Sequence, residues 1–328
     1  MSGVSVALCT RNGSRFIAAQ IHSILAQTRP IDELIVSDDA SSDETVSIVR
    51  AIIAEHSDPP ALRTIENSTA LGVTANFQQA ILACSKEVVI LSDQDDVWAT
   101  QRIERTLEAF DDDASVLLVH SDARLIDADG VAFNSSLFRS YRVDAATLGA
   151  IRSGRAYDVL LRRNVVTGAT TALRRELAVI ACPFPSSWVH DEWLAVVASA
   201  TGRIVPVSEQ LVDYRQHGSN QIGAVTVDFR AKLSRISTNG ADRNRRLLAR
   251  AEVLAKRLPS LIPPAQQWMA DAAYEKLNHE QVRSALPVNR LLRVRPVFRE
   301  VRTGRYRRFG GGLQDVVRDL LQPLEASG

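Results

Sequence analysis

Four short apolar runs, separated by helix-like segments and each closed by polar or acidic residues, occupy the first hundred residues and leave few architectures open. Val4–Leu8, Glu33–Ser37, Leu62–Glu66 and Val88–Ser92 read as strands. Between them, Ser14 predicts a cap for a helix to about Ala26, with Phe16, Ile17, Ile21, Ile24 and Leu25 on one face. Ser41-Ser42-Asp43-Glu44 opens a second helix to about Glu55, and Thr74–Ala83 forms a third. This alternation predicts an α/β layer on a largely parallel sheet. Such sheets bind ligands beyond the carboxyl ends of their strands. Thr10, Asp38 and Asp93 all fall at those ends.

The fourth strand runs into Asp93-Gln94-Asp95-Asp96. Acidic groups this close repel one another and need water, a cation or another partner. In extended chain Asp93 and Asp95 point the same way. Two hard oxygen ligands at that spacing suit Mg²⁺ or Mn²⁺ carrying a substrate phosphate. The plainer reading is a solvated acidic turn before a helix starting near Trp98. Asp38 can accept hydrogen bonds from a base or ribose, or can cap the helix at 44–55.

Further along, Val116–Ser121, Ile204–Val207 and Gln210–Tyr214 read as strands, and Asp127-Ala128-Asp129-Gly130 as a turn. Residues 131–165 read as irregular, a lid or acceptor loop. Val165–Leu173 reads as a strand with Gly168 inside it. Asp191 opens a helix over Trp188–Ser199, as a simple cap or as a general base, and Glu192 competes for the base role. His217 follows in Tyr214-Arg215-Gln216-His217-Gly218, with Asn220 beyond it in a loop. It completes a metal shell, offsets leaving-group charge together with Arg215, or is merely structural.

Several classes are excluded. The first strand is not followed by GxGxxG, and GxxxxGK[ST] and GxSxG do not occur. Cys9, Cys84 and Cys182 form neither a disulfide framework nor a CxxC metal site, which points to a reducing cytosol. No leader and no stretch of about 18 uncharged apolar residues is evident. The net charge of +1 conceals two halves: residues 1–224 hold 19 Lys and Arg against 28 Asp and Glu, whereas residues 225–328 hold 20 against 10. The expectation is an acidic catalytic domain, 1–224, and a basic, mainly helical region, 225–328, its helical pattern starting near Val227. Arg290, Arg293, Arg295, Arg299, Arg302, Arg305, Arg307 and Arg308 crowd together with apolar residues. The plainer reading is a helical appendage packed on the body with a solvated basic face; the sharper one is an anionic membrane surface, which the pattern suits better than nucleic acid.

These residues resemble the family 2 glycosyltransferases of the GT-A fold, over about residues 1–224. Val4–Gly13 looks like the family's first strand and T-x-N turn. Glu33–Asp43 is similar to its base-contacting segment, and Asn67, Leu71-Gly72-Val73 and Asn76 match a third segment loosely. Leu91–Trp98 resembles the DxD motif in the form of bacterial rhamnosyltransferase-like members. His190-Asp191-Glu192-Trp193 stands where the family's base lies, and Tyr214–Gly218 resembles a segment of the same subgroup.

The resemblance implies a GT-A nucleotide-sugar-binding fold, a Rossmann-like mixed sheet flanked by helices, here with a C-terminal helical appendage. It implies an inverting, Mg²⁺- or Mn²⁺-dependent transfer of a sugar such as L-rhamnose from a dTDP- or UDP-sugar to a saccharide or lipid-linked acceptor. Apart from the resemblance, the few cysteines and the basic C-terminal region point to a cytoplasmic setting, peripheral on the inner face of the membrane. Asp191 would be the base. Thr10, Arg11, Asn12, Asp38, Asp93 and Gln94 would bind the donor. Asp95, Asp93 and His217 would hold the metal, and Arg215, Gly168, Trp188 and Glu192 would contact diphosphate or acceptor. The rival readings are a sugar-1-phosphate nucleotidyltransferase and a non-catalytic nucleotide-sugar-binding protein. The absence of QxxRW separates the chain from processive synthases.

Overall fold

The computed structural model describes residues 2–111, 113–217 and 240–323. The expected loop at Gly218 and Asn220 and the helical start near Val227 lie outside the described residues. The chain divides into two compact units, Met1–Ala156 with Val165–Ala224, and Tyr157–Asn164 with Val225–Gly328. Among the described residues, no helix is long and apolar enough to cross a membrane.

Among the described residues, the first unit contains nine strands: β1 (Val4–Thr10), β2 (Glu33–Asp38), β3 (Ala61–Glu66), β4 (Val88–Ser92), β5 (Val97–Trp98), β6 (Val116–Ile126), β7 (Ala132–Ser136), β8 (Thr171–Arg174) and β9 (Arg203–Arg215). They form one mixed sheet in the order β3-β2-β1-β4-β8-β6-β9-β5, with β7 on β6. The first four are parallel. Helices α1 (Ile17–Leu25) and α2 (Thr45–Glu55) bring Ile17, Ile21, Ile24, Val49 and Ile53 into one cluster with Val4, Val6, Leu8, Leu34 and Val36. Phe77 and Ile81 of α3 (Val73–Ala83) are buried outside that cluster, where α3 packs on β1 and β2. Strands covered in this way read as unbroken apolar runs, which is why β1 and β4 are buried along their whole length.

Register decides what meets at the sheet's edge. Thr10 lies opposite Asp38, and Leu8 opposite Ser92. Thr10, Asp38 and Asp93 therefore end on one side. β8 runs antiparallel to β4, with Ile90 opposite Ala172, so Gly168 just before β8 reaches the carboxyl end of β4. β5 pairs with β9, Val97 opposite Asp213, which returns the chain after β9 to the Asp93–Asp96 turn.

The structure corrects four local expectations. Ser14 does not cap α1, which begins at Ile17 without a side-chain cap; Phe16 and Ile17 donate to the Gly13 carbonyl instead. Residues 131–165 are not irregular. After α4 (Arg102–Asp111), they hold β7, α5 (Leu137–Ser140), α6 (Ala145–Ala150), a kink within Ile151–Arg155 where Gly154 takes φ 81°, and α7 (Ala156–Arg162). Ser136 and Asp144 cap α5 and α6, and Leu137, Phe138, Val143 and Ile151 are buried. Val165–Leu173 is no continuous strand, because Thr170 donates back to Thr167 in a 3-10 turn over Gly168–Thr170. Ile204–Val207 and Gln210–Tyr214 belong to one strand, with Ser208 and Glu209 bulging out opposite the Ser121–Asp122 step.

The described residues of the second unit are mainly helical, with helices at Gly240–Arg257, Gln267–Ser284, Arg290–Arg302, Arg305–Phe309 and Leu313–Leu321. Leu286, Val297 and Tyr306 form a small core. Leu254, Leu258, Met269 and Phe309 are buried as well, and buried polar groups pack beside them. Arg283 donates to Asp319 at 2.7 Å and Glu280 at 3.0 Å, and the Tyr306 hydroxyl donates to Asp319 at 2.8 Å. Buried charges persist only when paired in this way.

Candidate active site

The loops after β1 and β2 hold each other. Thr10 Oγ1 donates to Asp38 Oδ1 at 2.6 Å, and the Ser41 amide and hydroxyl donate to the same carboxylate at 2.8 and 2.6 Å. Asp38 thus sits at the strand end with three bonds fixing its orientation. Asn12, at φ 49°, donates its amide to the Ser41 hydroxyl and accepts from the Ser42 amide. Gln94 clamps the main chain of Arg11 from both sides, accepting from its amide at 2.7 Å and donating to its carbonyl at 3.0 Å. The Arg11 guanidinium remains half exposed, 3.8 Å from Asp39. Asp39 receives the amides of Leu71 and Gly72 and so fixes the entry to α3.

The acidic turn divides its carboxylates among different tasks. Asp96 is buried; one oxygen accepts the Arg215 amide at 2.9 Å and the other has no partner among the described residues. Burial, then Asp95 and Asp93, hold its carboxyl well above the usual range. Asp95 meets His217, with Oδ2 2.7 Å from Nε2, and the imidazole stacks on Phe16 at 5.0 Å. Burial, then Asp95 and Asp191, push Asp93 up to about 7. Arg102, fully buried and stacked over Trp98 at 3.8 Å, is the cation that partly offsets both; burial lowers it to about 9. Arg215 points its guanidinium at the carbonyls of Asp95, Asp127 and Ala128, 2.7 to 3.1 Å away, and so staples the turn to its neighbours.

Asp191 lies in the first turn of α9 (His190–Thr201), which follows α8 (Arg175–Ala181). Its Oδ2 accepts the Gly168 amide at 2.8 Å and its Oδ1 the Glu192 amide at 2.7 Å. Gly168 must be glycine for this approach, because a β-carbon would stand 2.7 Å from His190 Nε2. The Trp188 carbonyl accepts from the Thr74 hydroxyl at 3.0 Å, and its ring tilts against Trp193. Tyr141 is near enough to Asp191 and Glu192 that both help burial raise its hydroxyl. The structure therefore gathers Asp93, Asp95, Asp191, Gly168 and His217 around the carboxyl end of β4. Sequence reasoning gives no site role to Arg102 or Asp39 and reads Phe16 and Ser41 only as helix residues; the doublet Asp38-Asp39 is the one visible signal among them.

Two buried histidines give this unit a pH signature. His120 and His190 have ring nitrogens without partners among the described residues, and burial lowers them to about 4 and about 3. Between pH 6.5 and those values, the unfolded chain binds protons that the folded chain does not. Stability therefore falls as pH drops through 6.5, by about 1.4 kcal/mol per pH unit for each ring. Asp93 titrates with the opposite sign, so the effect is read as a difference. Urea unfolding at pH 7 and 5.5 should show a shallower loss for His120→Leu than for the wild type. Equal losses would mean that His120 is already protonated when folded.

Two carboxylates and an imidazole form a donor set suited to Mg²⁺ or Mn²⁺, and the orphaned Asp96 oxygen and raised Asp93 show a cluster short of positive charge. Proximity at the strand end is not yet a coordination geometry. Among the described residues, no three His, Cys, Asp or Glu side chains converge on one point, and of the three candidates Asp95 and His217 are the pair in contact.

Residues 5–166, about half of the chain, match the model described as Glycosyl transferase family 2. Among curated proteins, the chain is 26% identical over 224 residues to an uncharacterized glycosyltransferase of Nostoc sp., covering 66% of each chain. It is 25% identical over 242 residues to the dTDP-rhamnosyl transferase RfbG of Shigella flexneri, covering 70% of this chain and 78% of that one. The chain spans 59% to 66% of the length of the first curated relatives it matches. Among solved structures, the mannosyltransferase PcManGT from Pyrobaculum calidifontis, in complex with GDP-Man and Mn²⁺, shares the fold with a TM-score of 0.53 at 19% identity. That match covers 92% of this chain and 76% of the other.

Proposed function

This chain belongs to glycosyl transferase family 2 through its residues 5–166, and from that membership we propose that it moves a sugar from a nucleoside-diphosphate donor to a hydroxyl of a saccharide or lipid-linked acceptor, with inversion at the anomeric carbon. The observation that carries this reading is that the Gly168 amide, just before β8 at the carboxyl end of β4, holds Asp191 within electrostatic reach of Asp93. On this reading the end of β4 would face the diphosphate and the first turn of α9 the acceptor.

Asp191 receives the proton of the attacking hydroxyl, held in place by the Gly168 and Glu192 amides. Thr10, Arg11, Asn12 and Asp38 line the nucleoside side. Asp95, with Asp93 and His217, would hold Mg²⁺ or Mn²⁺, the remaining ligands coming from diphosphate and water. When bound, the ion supplies positive charge to the departing diphosphate. The Mn²⁺ in the similar mannosyltransferase supports that cofactor. The similarity to the dTDP-rhamnosyl transferase RfbG supports a dTDP-sugar donor, with rhamnose among the sugars to try first and UDP-sugars as the alternative.

The test is product identity. A panel of nucleotide sugars with Mn²⁺ and saccharide acceptors should release nucleoside diphosphate. Pyrophosphate would instead identify a sugar-1-phosphate nucleotidyltransferase, and metal-dependent binding without turnover a binding protein.

A further inference from the structure

We propose that the C-terminal helices carry a docking surface for an anionic lipid bilayer. The helix Arg290–Arg302 presents three stripes at helical spacing. Arg293, Val297 and Glu300 are buried in the unit. Leu291, Val294, Phe298 and Val301 form an outward apolar stripe, with Leu291 82% and Phe298 59% exposed. Arg295, Arg299 and Arg302, each one position beyond an apolar member, form an exposed basic stripe beside it. The helix Leu313–Leu321 repeats the pattern, exposing Leu313, Val317 and Leu321 and burying Asp315 and Asp319.

The charge pattern identifies the occupant. Residues 288–323 contain three acids, Glu300, Asp315 and Asp319, and all three are buried. They are engaged with His279, Arg243, Arg283 and the Tyr306 hydroxyl. Every exposed charge in the segment is therefore an arginine. Arg290, Arg295, Arg299, Arg302 and Arg307 have no carboxylate within ion-pair distance among the described residues. A second copy of this face would oppose arginine to arginine, which is repulsive. Nucleic acid would leave the apolar stripe in water. A bilayer with anionic headgroups satisfies both halves: the leucines and phenylalanine enter the acyl boundary, and the guanidiniums take phosphate oxygens.

The experiment is flotation of the full chain, without donor, metal or acceptor, so its outcome is separate from the transferase reading. The vesicles are phosphatidylcholine alone or equimolar phosphatidylcholine and phosphatidylglycerol. The chain should float with the mixed vesicles, stay behind with the neutral ones, and be released as salt rises. R295Q/R299Q/R302Q should lower partitioning about 100-fold. Phe298→Asp should lower it as well, with thermal melting unchanged because that side chain is exposed. Absence of flotation, equal flotation with both vesicles, or a dimer that Phe298→Asp dissociates would each overturn the proposal. Retention of RNA in place of vesicles would do the same.

Discussion

Asp191→Asn is expected to slow sugar transfer by about 10²–10⁴-fold while leaving donor affinity nearly unchanged. The carboxylate sits at the start of α9 with one oxygen on the Gly168 amide and the other on the Glu192 amide. Both bonds favour the anion, which is the form a general base needs. The amide group of asparagine can keep one of those bonds and accepts no proton. It adds no bulk, so the 3-10 turn at Gly168–Thr170 is retained. The two quantities must be measured separately, turnover with saturating donor and donor affinity by calorimetry. Parallel loss of both would move Asp191 from chemistry to donor binding. Activity that survives Asp191→Asn but not Glu192→Gln would transfer the base role one residue along the same turn.

Asp95→Ala should abolish the metal-dependent part of donor binding. In the wild type, a donor at 100 times its Kd adds roughly 2.7 kcal/mol of stability. In the variant, Mn²⁺ should add nothing to the donor's effect in a thermal shift. Asp95 is the natural place for this loss, because its carboxylate and the His217 ring already meet at 2.7 Å at the sheet edge. Asp96 offers the control. Its oxygen holds the Arg215 amide across 119 residues of sequence, so Asp96→Ala should destabilise the unit without removing metal dependence selectively. A fully metal-responsive Asp95→Ala would exclude Asp95 from the ion's shell.

The strand ends were legible because they depend on local pattern. Buried parallel strands must be apolar throughout, and the first polar residue after each marks the ligand side. That pattern is sufficient to place Thr10, Asp38 and Asp93 on one side of the sheet. It does not say how the three acids of the turn differ from one another or from Asp191. Asp96 became a main-chain clamp and Asp95 a partner of histidine because each faces a different remote element, while burial first, then Asp95 and Asp191, raise Asp93 to about 7. Residues 131–165 were unreadable for a related reason. Their helices are short, and their apolar positions make sense only once the buried face is known.

The chain's own sequence determined the α/β alternation, the polar strand ends and the contrast between an acidic front and a basic back. These follow from periodicity and composition, which act over a few residues. Tertiary structure alone decided that Gly168 meets Asp191, that Arg215 returns to Asp96, and that Arg102 lies buried beside the acidic turn. It also decided that Glu300, Asp315 and Asp319 turn inward and leave only arginines outside. Such pairings join residues far apart in the chain, where register and burial, not local propensity, set the charge each group carries.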